Sequence, residues 1–458
     1  MKKRVLSIDV LRGIAITGMV FCASFGWNSG LPAWMFHAQV PPPDYVFHPE
    51  IPGITWVDLV FPFFIFAMGA ALPFSMSKRL SDGVPVGHIA GSLLHRWLSL
   101  TLFAILLGNA SLLNAAEVPI VQVRLFKLFI WTGFFLTFVR LRKVRPLISR
   151  SVTAGGLLLL VAAALTAVFH FGITLSMHSS DIIILVLANL ALWGGLVWLL
   201  TRRLAGLRLG ILGLTIIAKI LADSAPHLLS WVPSLEAYSW FFRWDFLQYL
   251  IIIIPATFIG EIILHARHGE HQVSRRPSQV LALVLLPVLV VFQLWTLYER
   301  FLVTDLVVTI SCAAIFCLLT RNERALWAYV AYTGFLFLIP GLVMDPLDGG
   351  IAKDPCNLSY LLVTGGCAMM VTAFLLYLEE QGVLRCPLLV RAGQNPMIAY
   401  TLNGFVLSPL LYLFGVLAPF DQLTVGNPFF GLLRGVVITG LMLVVTGFFT
   451  SRRLFWRS

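Results

Sequence analysis

The fold is decided by an apolar run at residues 54–77, which reads ITWVDLVFPFFIFAMGAALPFSMS. The run is longer than the about 20 residues that a helix needs to cross the roughly 30 Å hydrocarbon core of a bilayer. Its one charged residue, Asp58, stands near its start. Because backbone in lipid must satisfy its hydrogen bonds internally, the run predicts a membrane-spanning helix.

Similar apolar runs recur along the whole chain, in which 59% of the residues are hydrophobic and 12% are charged, with a mean hydropathy of +0.90. We predict an all-α, polytopic membrane protein with about 12–14 transmembrane helices in a single domain, residues 1–458. The predicted spans are 5–27, 54–77, 92–113, 122–140, 151–172, 181–201, 208–224, 246–264, 278–298, 302–320, 326–342, 359–378, 397–417 and 430–450.

Lysine and arginine are unevenly distributed between the two sides of this topology. If the N-terminus is cytoplasmic, about 24 of the 32 lie in inner segments, against about three in outer loops: Arg243, Arg300 and Lys353. Cytoplasmic loops carry such an excess, which predicts that both termini face the cytoplasm. The topology accounts for the net charge of +11, so nucleic acid is excluded as a partner and the lipid bilayer is expected.

Two histidines lie in the outer loop at residues 28–53, between the first two predicted helices. They are His37 and His48, and histidine is the side chain whose ordinary pKa lies near neutrality. Asp58, at the outer start of the second helix, either caps that helix or orients an imidazole and stabilises the imidazolium. The three residues are candidate catalytic groups, with one histidine as general base. The sequence leaves open which histidine it is; His227 is remote in sequence.

Polar side chains also stand at the cytoplasmic ends of two predicted helices. Asp9 and Arg12 are three residues apart, so they share a helical face. They can be interpreted in two ways. Either they form an ion pair at the start of a helix that Ser7 caps, or Asp9 holds Arg12 so that it faces an anionic ligand on the cytoplasmic side. Gln394 and Asn395 open the thirteenth span, where Asn395 either caps the helix or binds a polar ligand group. We predict that helices one and two and this late span line a cavity open to the cytoplasm.

The outer segment at residues 343–358 contains a compact acidic turn. Its Asp345, Asp348 and Lys353 are candidates for contact with a substrate on the outer side, or for the outer gate of a transporter.

No metal site or disulfide is predicted. The six cysteines are scattered, without C-x-x-C or another metal-ligand spacing. His265, His268 and His271 recur every three residues, but they follow a helix exit beside Arg267, which disfavours a metal site.

Several motifs give the chain a family resemblance. Residues 7–14 read SIDxxRGI and residues 53–69 read GITxxDLVFPFFxFxMG; DGGI at 348–351 and GQNPMIAY at 393–400 follow later. In this combination the chain resembles the heparan-α-glucosaminide N-acetyltransferase family, and more closely the family's bacterial branch of inner-membrane proteins. The resemblance extends over nearly the whole chain.

The resemblance implies that acetyl-CoA is used on the cytoplasmic side and that its acetyl group reaches an amino sugar on the far side. An outer-loop histidine would be the key catalytic group. The family motif has His-Ala-polar, then Gly-Leu-Thr, with an Asp ten residues after the His. His48 keeps that spacing to Asp58, whereas His37, followed by Ala38 and Gln39, keeps the local motif.

The leading expectation is therefore an acyltransferase of the bacterial inner membrane. Acetyl-CoA would be the acyl donor, with its phosphates near Arg12, and a periplasmic sugar or glycan would be the acceptor. The alternative is a permease for an amino sugar or a similar small solute, and a third interpretation is a structural subunit. The identity of the acceptor and the oligomeric state, including a homodimer, are left open.

Overall fold

The computed structural model describes residues 4–26, 28–115, 118–140, 145–224, 243–266, 277–323 and 325–456, most of them in helices. The helices are α1 (Leu6–Cys22), α2 (Trp56–Ser81), α3 (Val86–Ser111), α4 (Ile120–Phe138), α5 (Pro146–Phe169), α6 (Ile182–Thr201), α7 (Ala205–Ser224), α8 (Trp244–Leu247), α9 (Leu250–Ala266), α10 (Pro277–Tyr298), α11 (Leu302–Thr320), α12 (Leu326–Met344), α13 (Leu358–Glu380), α14 (Pro387–Gln394), α15 (Pro396–Leu402), α16 (Ser408–Leu413), α17 (Leu417–Thr424) and α18 (Pro428–Ser451). A π-helical segment, Asn403–Leu407, joins α15 to α16, and the strands β1 (Val139–Arg140) and β2 (Phe455–Trp456) pair antiparallel.

Within the described ranges, 13 helical stretches are long and apolar enough to cross a membrane. With α1, which has 17 residues, each predicted span has its helix. The bounds follow the apolar runs closely, and the span predicted at 302–320 is α11 itself. The chain is a polytopic helical membrane protein, so the predicted fold class is confirmed. The N-in, C-in orientation stays a prediction.

Some residues used in the sequence argument lie outside the described residues. From the charge count these are Lys2, Lys3, Arg142, Lys143, Arg267, Arg275, Arg276, Arg324 and Arg457; the histidines His227, His268 and His271 lie outside as well.

The chain comprises two compact units. The first consists of residues 1–15, 32–94 and 189–386, and the second of residues 16–31, 95–188 and 387–458. The prediction of one membrane domain is not tested by this division and stays a prediction.

Close helix packing holds the first unit together, and small residues permit it. A Cβ added at Gly69 on α2 would lie 2.9 Å from the Cβ of Ala256 on α9. One added at Gly260 on α9 would overlap the carbonyl oxygen of Ala70 on α2. Helix pairs in membranes approach this closely only where side chains are small. The α2–α9 contact therefore fixes the helix on which Asp58 stands.

In the second unit, the chain after α18 is tied to the start of α15. The Asn395 amide donates from Nδ2 to the Leu454 carbonyl at 2.8 Å, and its Oδ1 accepts from the Trp456 N–H at 3.1 Å. The buried Trp456 ring stacks on Phe138 with their centroids 5.9 Å apart. Asn395 makes no side-chain cap, so the expected capping role is corrected: its amide serves the C-terminal segment instead.

Candidate active site

The loop between α1 and α2 brings His37 onto Asp58 at the start of α2. The His37 Nδ1 lies 2.6 Å from Asp58 Oδ1; the histidine side chain is 37% exposed, whereas Asp58 is buried. An ionised carboxylate can only accept, so Nδ1 carries the proton and donates it to Asp58. This assignment leaves the Nε2 lone pair as the basic position of the imidazole. The arrangement orients a base in the way an acid orients the histidine of a triad.

Asp58 is fixed by bonds to its second carboxylate oxygen. Oδ2 accepts the Thr55 N–H at 3.0 Å and the Ala38 N–H at 3.3 Å. The Thr55 side chain in turn accepts from the Val57 N–H, which completes a capping box at the start of α2. Asp58 thus both caps the helix and orients the imidazole, because Oδ2 accepts the Thr55 N–H and Oδ1 accepts from His37. A Tyr360 hydroxyl bond of 2.7 Å to the Asp58 carbonyl secures the backbone.

Lys353 is the third member of this cluster. Its Nζ lies 3.1 Å from Nδ1 and 3.4 Å from Nε2 of His37, and 3.7 Å from Asp58 Oδ1. Nδ1 cannot both donate to Asp58 and accept from Lys353, and the shorter contact with Asp58 decides its role. Lys353 is therefore an ion-pair partner of Asp58, and the Lys353 ammonium group lies beside the imidazole of His37. A cation there can stabilise negative charge that develops next to Nε2.

The loop after α12 carries Lys353 and is itself firmly anchored. Its Asp345 forms a two-pronged ion pair with Arg300, at 2.6 and 2.9 Å, and accepts the Ile351 N–H at 2.9 Å. The Gln39 amide exchanges two hydrogen bonds with the backbone of Asp354, of 2.6 and 3.0 Å. Two-pronged Arg–carboxylate pairs give geometric precision as well as energy. Lys353 is thus held close to His37.

The other two residues predicted for an outer substrate contact have structural partners. Asp345 is fully buried against Arg300, as described above. Asp348 Oδ2 accepts the Ser359 N–H at 2.7 Å in the first turn of α13, and burial raises the pKa of this carboxyl. Of the predicted trio, Lys353 is the one placed at His37. The assignment of all three to substrate stays a prediction.

His48 is bound elsewhere in the same loop. Its Nδ1 contacts Glu50 at 3.0 Å and its Nε2 contacts Asp44 at 3.2 Å. The hydrogen bond to Asp44, followed by the one to Glu50, raises the pKa of His48 above its ordinary 6.5. Both ring nitrogens thus contact carboxylates of their own loop, so neither is left free to take a proton from a substrate. The geometry distinguishes the two histidines, which the sequence could not.

At the start of α1, Asp9 and Arg12 pair as predicted. Arg12 Nη1 lies 3.9 Å from Asp9 Oδ1, and its Nη2 donates to the Ala67 carbonyl at 3.1 Å. The expected Ser7 cap is replaced: Glu379 of α13 accepts the N–H groups of Leu6 and Ser7 at 3.0 and 2.8 Å. A carboxylate is favourable at a helix N-terminus. The sequence alone does not reveal this contact, because Glu379 follows Ser7 by 372 residues.

Gln394 and Asn395 belong to the second unit, in which Gln394 ends α14 and Asn395 binds the segment after α18. The predicted shared cavity with helices one and two stays a prediction.

In the first unit, Glu261 is paired: it accepts from Arg208 at 2.9 Å and from Trp198 at 2.6 Å. Among the described residues, no group of three or more His, Cys, Asp or Glu side chains could hold a metal ion.

Comparison with known proteins places this chain in a family. A family model described as a domain of unknown function, DUF5009, matches residues 4–263, more than half of the 458-residue chain. The chain belongs to the DUF5009 family. The DUF5009 match contains His37, His48 and Asp58, whereas the loop with Lys353 follows it.

This DUF5009 chain is also distantly related to an enzyme of known activity. Over 106 residues it is 33% identical to heparan-alpha-glucosaminide N-acetyltransferase of Homo sapiens. The match covers 23% of this chain and 14% of the human protein. It supports the resemblance recognised in the motifs, as a distant family relation.

Tyr360, Gln39 and Glu379 are positioning residues that sequence reasoning missed. For Gln39 a signal existed, because it is the polar residue of the His-Ala-polar motif. Tyr360 and Glu379 act across more than 300 residues of the chain, on Asp58 and on the start of α1. Neither stands in a recognisable motif.

Proposed function

We propose that this protein is a membrane-embedded acetyltransferase. It moves an acetyl group from cytoplasmic acetyl-CoA to an amino sugar or glycan on the periplasmic side of the bacterial inner membrane. The observation that carries the proposal is the His37–Asp58 pair with Lys353 beside it, supported by the distant relation to a membrane N-acetyltransferase.

His37 acts as the general base in this proposal. Acetyl-CoA supplies the acetyl group as a thioester. His37 Nε2 takes the proton that the acceptor amine loses as its nitrogen bonds to the acetyl carbon, and Asp58 stabilises the imidazolium through the Nδ1–H bond. As the carbon–sulfur bond breaks, the imidazolium returns the proton to the leaving sulfur. Lys353 stabilises the oxyanion of the tetrahedral intermediate.

The other predicted site residues complete the proposal. Arg12, paired with Asp9, would attract the phosphates of the donor from the cytoplasmic side. Gln394 is retained as a polar contact for the donor, whereas Asn395 acts by holding the segment after α18. Asp345 and Asp348 shape the loop that carries Lys353, on the side where the acceptor binds.

Acetyl transfer in proteoliposomes tests the proposal. With radiolabelled acetyl-CoA outside inside-out vesicles and glucosamine within, His37→Ala is expected to lower the rate by about a hundred- to ten-thousand-fold. His48→Ala, the matched control from the same loop, is expected to keep most of the rate. Label that stays on the protein without acceptor, and is lost in His37→Ala, would indicate an acetyl-histidine route.

The same vesicles distinguish the rival function. Uptake of labelled glucosamine without acetyl-CoA, together with full acetyl transfer by His37→Ala or no transfer by wild type, would overturn the proposal in favour of a permease.

A further inference from the structure

Four polar side chains that the proposed chemistry does not use meet between α10 and α11, in the interior of the first unit. Gln293 and Thr296 are three residues apart on α10, so they share one face of that helix. Asp305 and Thr309 are four residues apart on α11 and likewise share a face. Each of the four has 0% of its surface exposed. We call this group the α10–α11 polar cluster.

The Thr309 hydroxyl joins the two helices. It donates to Oδ1 of Asp305 at 3.2 Å, since an ionised carboxylate can only accept. Its one proton is then committed, so the 2.6 Å contact with Gln293 comes from the amide Nε2 as donor. Thr296 donates its own hydroxyl proton to the Phe292 carbonyl at 2.9 Å. These bonds determine which atoms of the cluster still need a partner.

Two oxygen atoms of the cluster have no hydrogen-bond partner among the described residues. They are Oδ2 of Asp305 and Oε1 of Gln293, and both are buried acceptors. Their carboxylate and amide groups contact the same Thr309 hydroxyl, so both oxygens stand beside it. Buried acceptors without a donor are uncommon in folded proteins, and each needs an explanation. Two of them at one position indicate a ligand that oxygen lone pairs can bind.

The charge of Asp305 is uncompensated as well. No ion pair forms at this carboxylate among the described residues, and the cation nearest in sequence, Arg300, gives both terminal nitrogens to Asp345. The N-terminus of α11 favours a negative charge, but Oδ2 of Asp305 receives none of its N–H groups. A water molecule would supply donors for both oxygens but no charge. Because a carboxylate within a membrane is costly unless it is paired or used, a cation fits this position better than water.

We propose that the α10–α11 polar cluster binds one small monovalent metal cation. Carboxylate and carbonyl oxygens suit hard cations. The single carboxylate neutralises one positive charge, and calcium takes about six to eight oxygen ligands, more than these side chains supply. The bound ion would link α10 to α11 through Gln293 and Asp305. The proposal does not rest on the acetyltransferase function, because it involves neither acetyl-CoA nor His37.

The test is direct binding of radiolabelled sodium to the full-length protein in detergent at pH 8, with choline as the replacement cation. Saturable binding of one sodium ion per chain is expected. Asp305→Asn should weaken it by about tenfold to a hundredfold, the usual effect of losing a contact to a charged group. The asparagine is of nearly the same size, and its NH₂ group can donate to Oε1 of Gln293, so the helices should still pack.

Thermal unfolding gives a second measurement, because a ligand that binds the folded state raises the thermal midpoint. Sodium should raise the midpoint of the wild type relative to choline, and should leave that of Asp305→Asn unchanged. Gln293→Leu removes the amide oxygen but keeps the carboxylate, so it should bind sodium more weakly than the wild type does. The matched control is Asp245→Asn, which removes an exposed carboxylate of the same unit and should bind sodium as the wild type does.

Several outcomes would overturn the proposal. One is no sodium binding by the wild type at pH 8, a result that no variant's folding can affect. Unchanged binding in Asp305→Asn, or an equal rise of its thermal midpoint with sodium, would show that any bound ion lies elsewhere. A loss in Asp245→Asn as large as in Asp305→Asn would show an unspecific effect of charge. Failure of acetyl transfer would leave the cation site standing.

Discussion

The exchange of Asp58 for asparagine reports on the proton assignment at the candidate active site. Oδ2 of Asp58 faces two N–H donors, those of Thr55 and Ala38. In the asparagine variant the carbonyl oxygen must occupy that position, since an NH₂ group would face two donors. The new NH₂ group then faces Nδ1 of His37. That nitrogen must give up its proton, so the proton moves to Nε2 and blocks the base.

The magnitude follows from separating two effects. Loss of one hydrogen bond to a charged group costs about 1.5–3 kcal/mol, or roughly ten- to a hundredfold in rate. Loss of the base itself costs about a hundred- to ten-thousand-fold. Because the Asp58→Asn variant suffers both, we expect a fall in kcat of at least about a thousandfold, with little change in KM.

The assay is steady-state acetyl transfer in proteoliposomes, with Glu50→Gln as the matched control. Glu50 is likewise a carboxylate bound to a histidine of the loop between α1 and α2, but that histidine is His48. The control should keep kcat near wild type. If Asp58→Asn loses less than about a hundredfold, no more than the loss of a single hydrogen bond to a charged group accounts for, the proposed tautomer of His37 is wrong. If Glu50→Gln loses as much as Asp58→Asn, the selection of His37 over His48 is wrong.

Three further predictions concern stability, pH and topology. Gly260→Ala should destabilise the α2–α9 contact by about 1–3 kcal/mol, because the added methyl group overlaps Ala70. The control Gly213→Ala, in open space on α7, should raise the thermal midpoint, because alanine favours a helix more than glycine does. Equal thermal midpoints for the two variants would contradict the packing. Because the pKa of His48 is raised, its loop contacts persist below the ordinary 6.5 and are lost as the pH rises through the raised value. Proteolysis of that loop should therefore accelerate at alkaline pH, but not in His48→Ala. A reporter fused at Ser458 should give a cytoplasmic signal, and a periplasmic one would refute the charge argument.

The helices could be predicted well because each apolar run is a local property of the sequence. The span predicted at 302–320 is α11 without change, and the fourteen predicted spans all have a helix. Helix ends were less certain, since α1 ends at Cys22 although its apolar run continues to residue 27. Hydropathy measures transfer to lipid, whereas a helix end depends on the local backbone.

The candidate site was only half predictable. His37, His48 and Asp58 stand out by residue type, but spacing favours His48, at ten residues from Asp58, over His37 at 21. The loop overrides spacing because the His48 N–H bonds to the Gln39 carbonyl at 2.8 Å. The residues between Gln39 and His48 therefore form a closed loop, and this loop places His48 beside Asp44 and Glu50. Such closure depends on long-range geometry that a single sequence does not reveal.

The long reach of the Lys353 loop bears on how the protein is made. Lys353 meets His37 across 316 residues, and Gln39 meets Asp354 across 315. During synthesis, α1 and α2 emerge long before that loop exists, and most of the intervening helices must be inserted first. A half-made chain thus presents His37 and Asp58 without their cation. The group of His37, Asp58 and Lys353 is completed only by the loop after α12, so a nascent chain stalled in the translocon before that loop lacks the assembled candidate site.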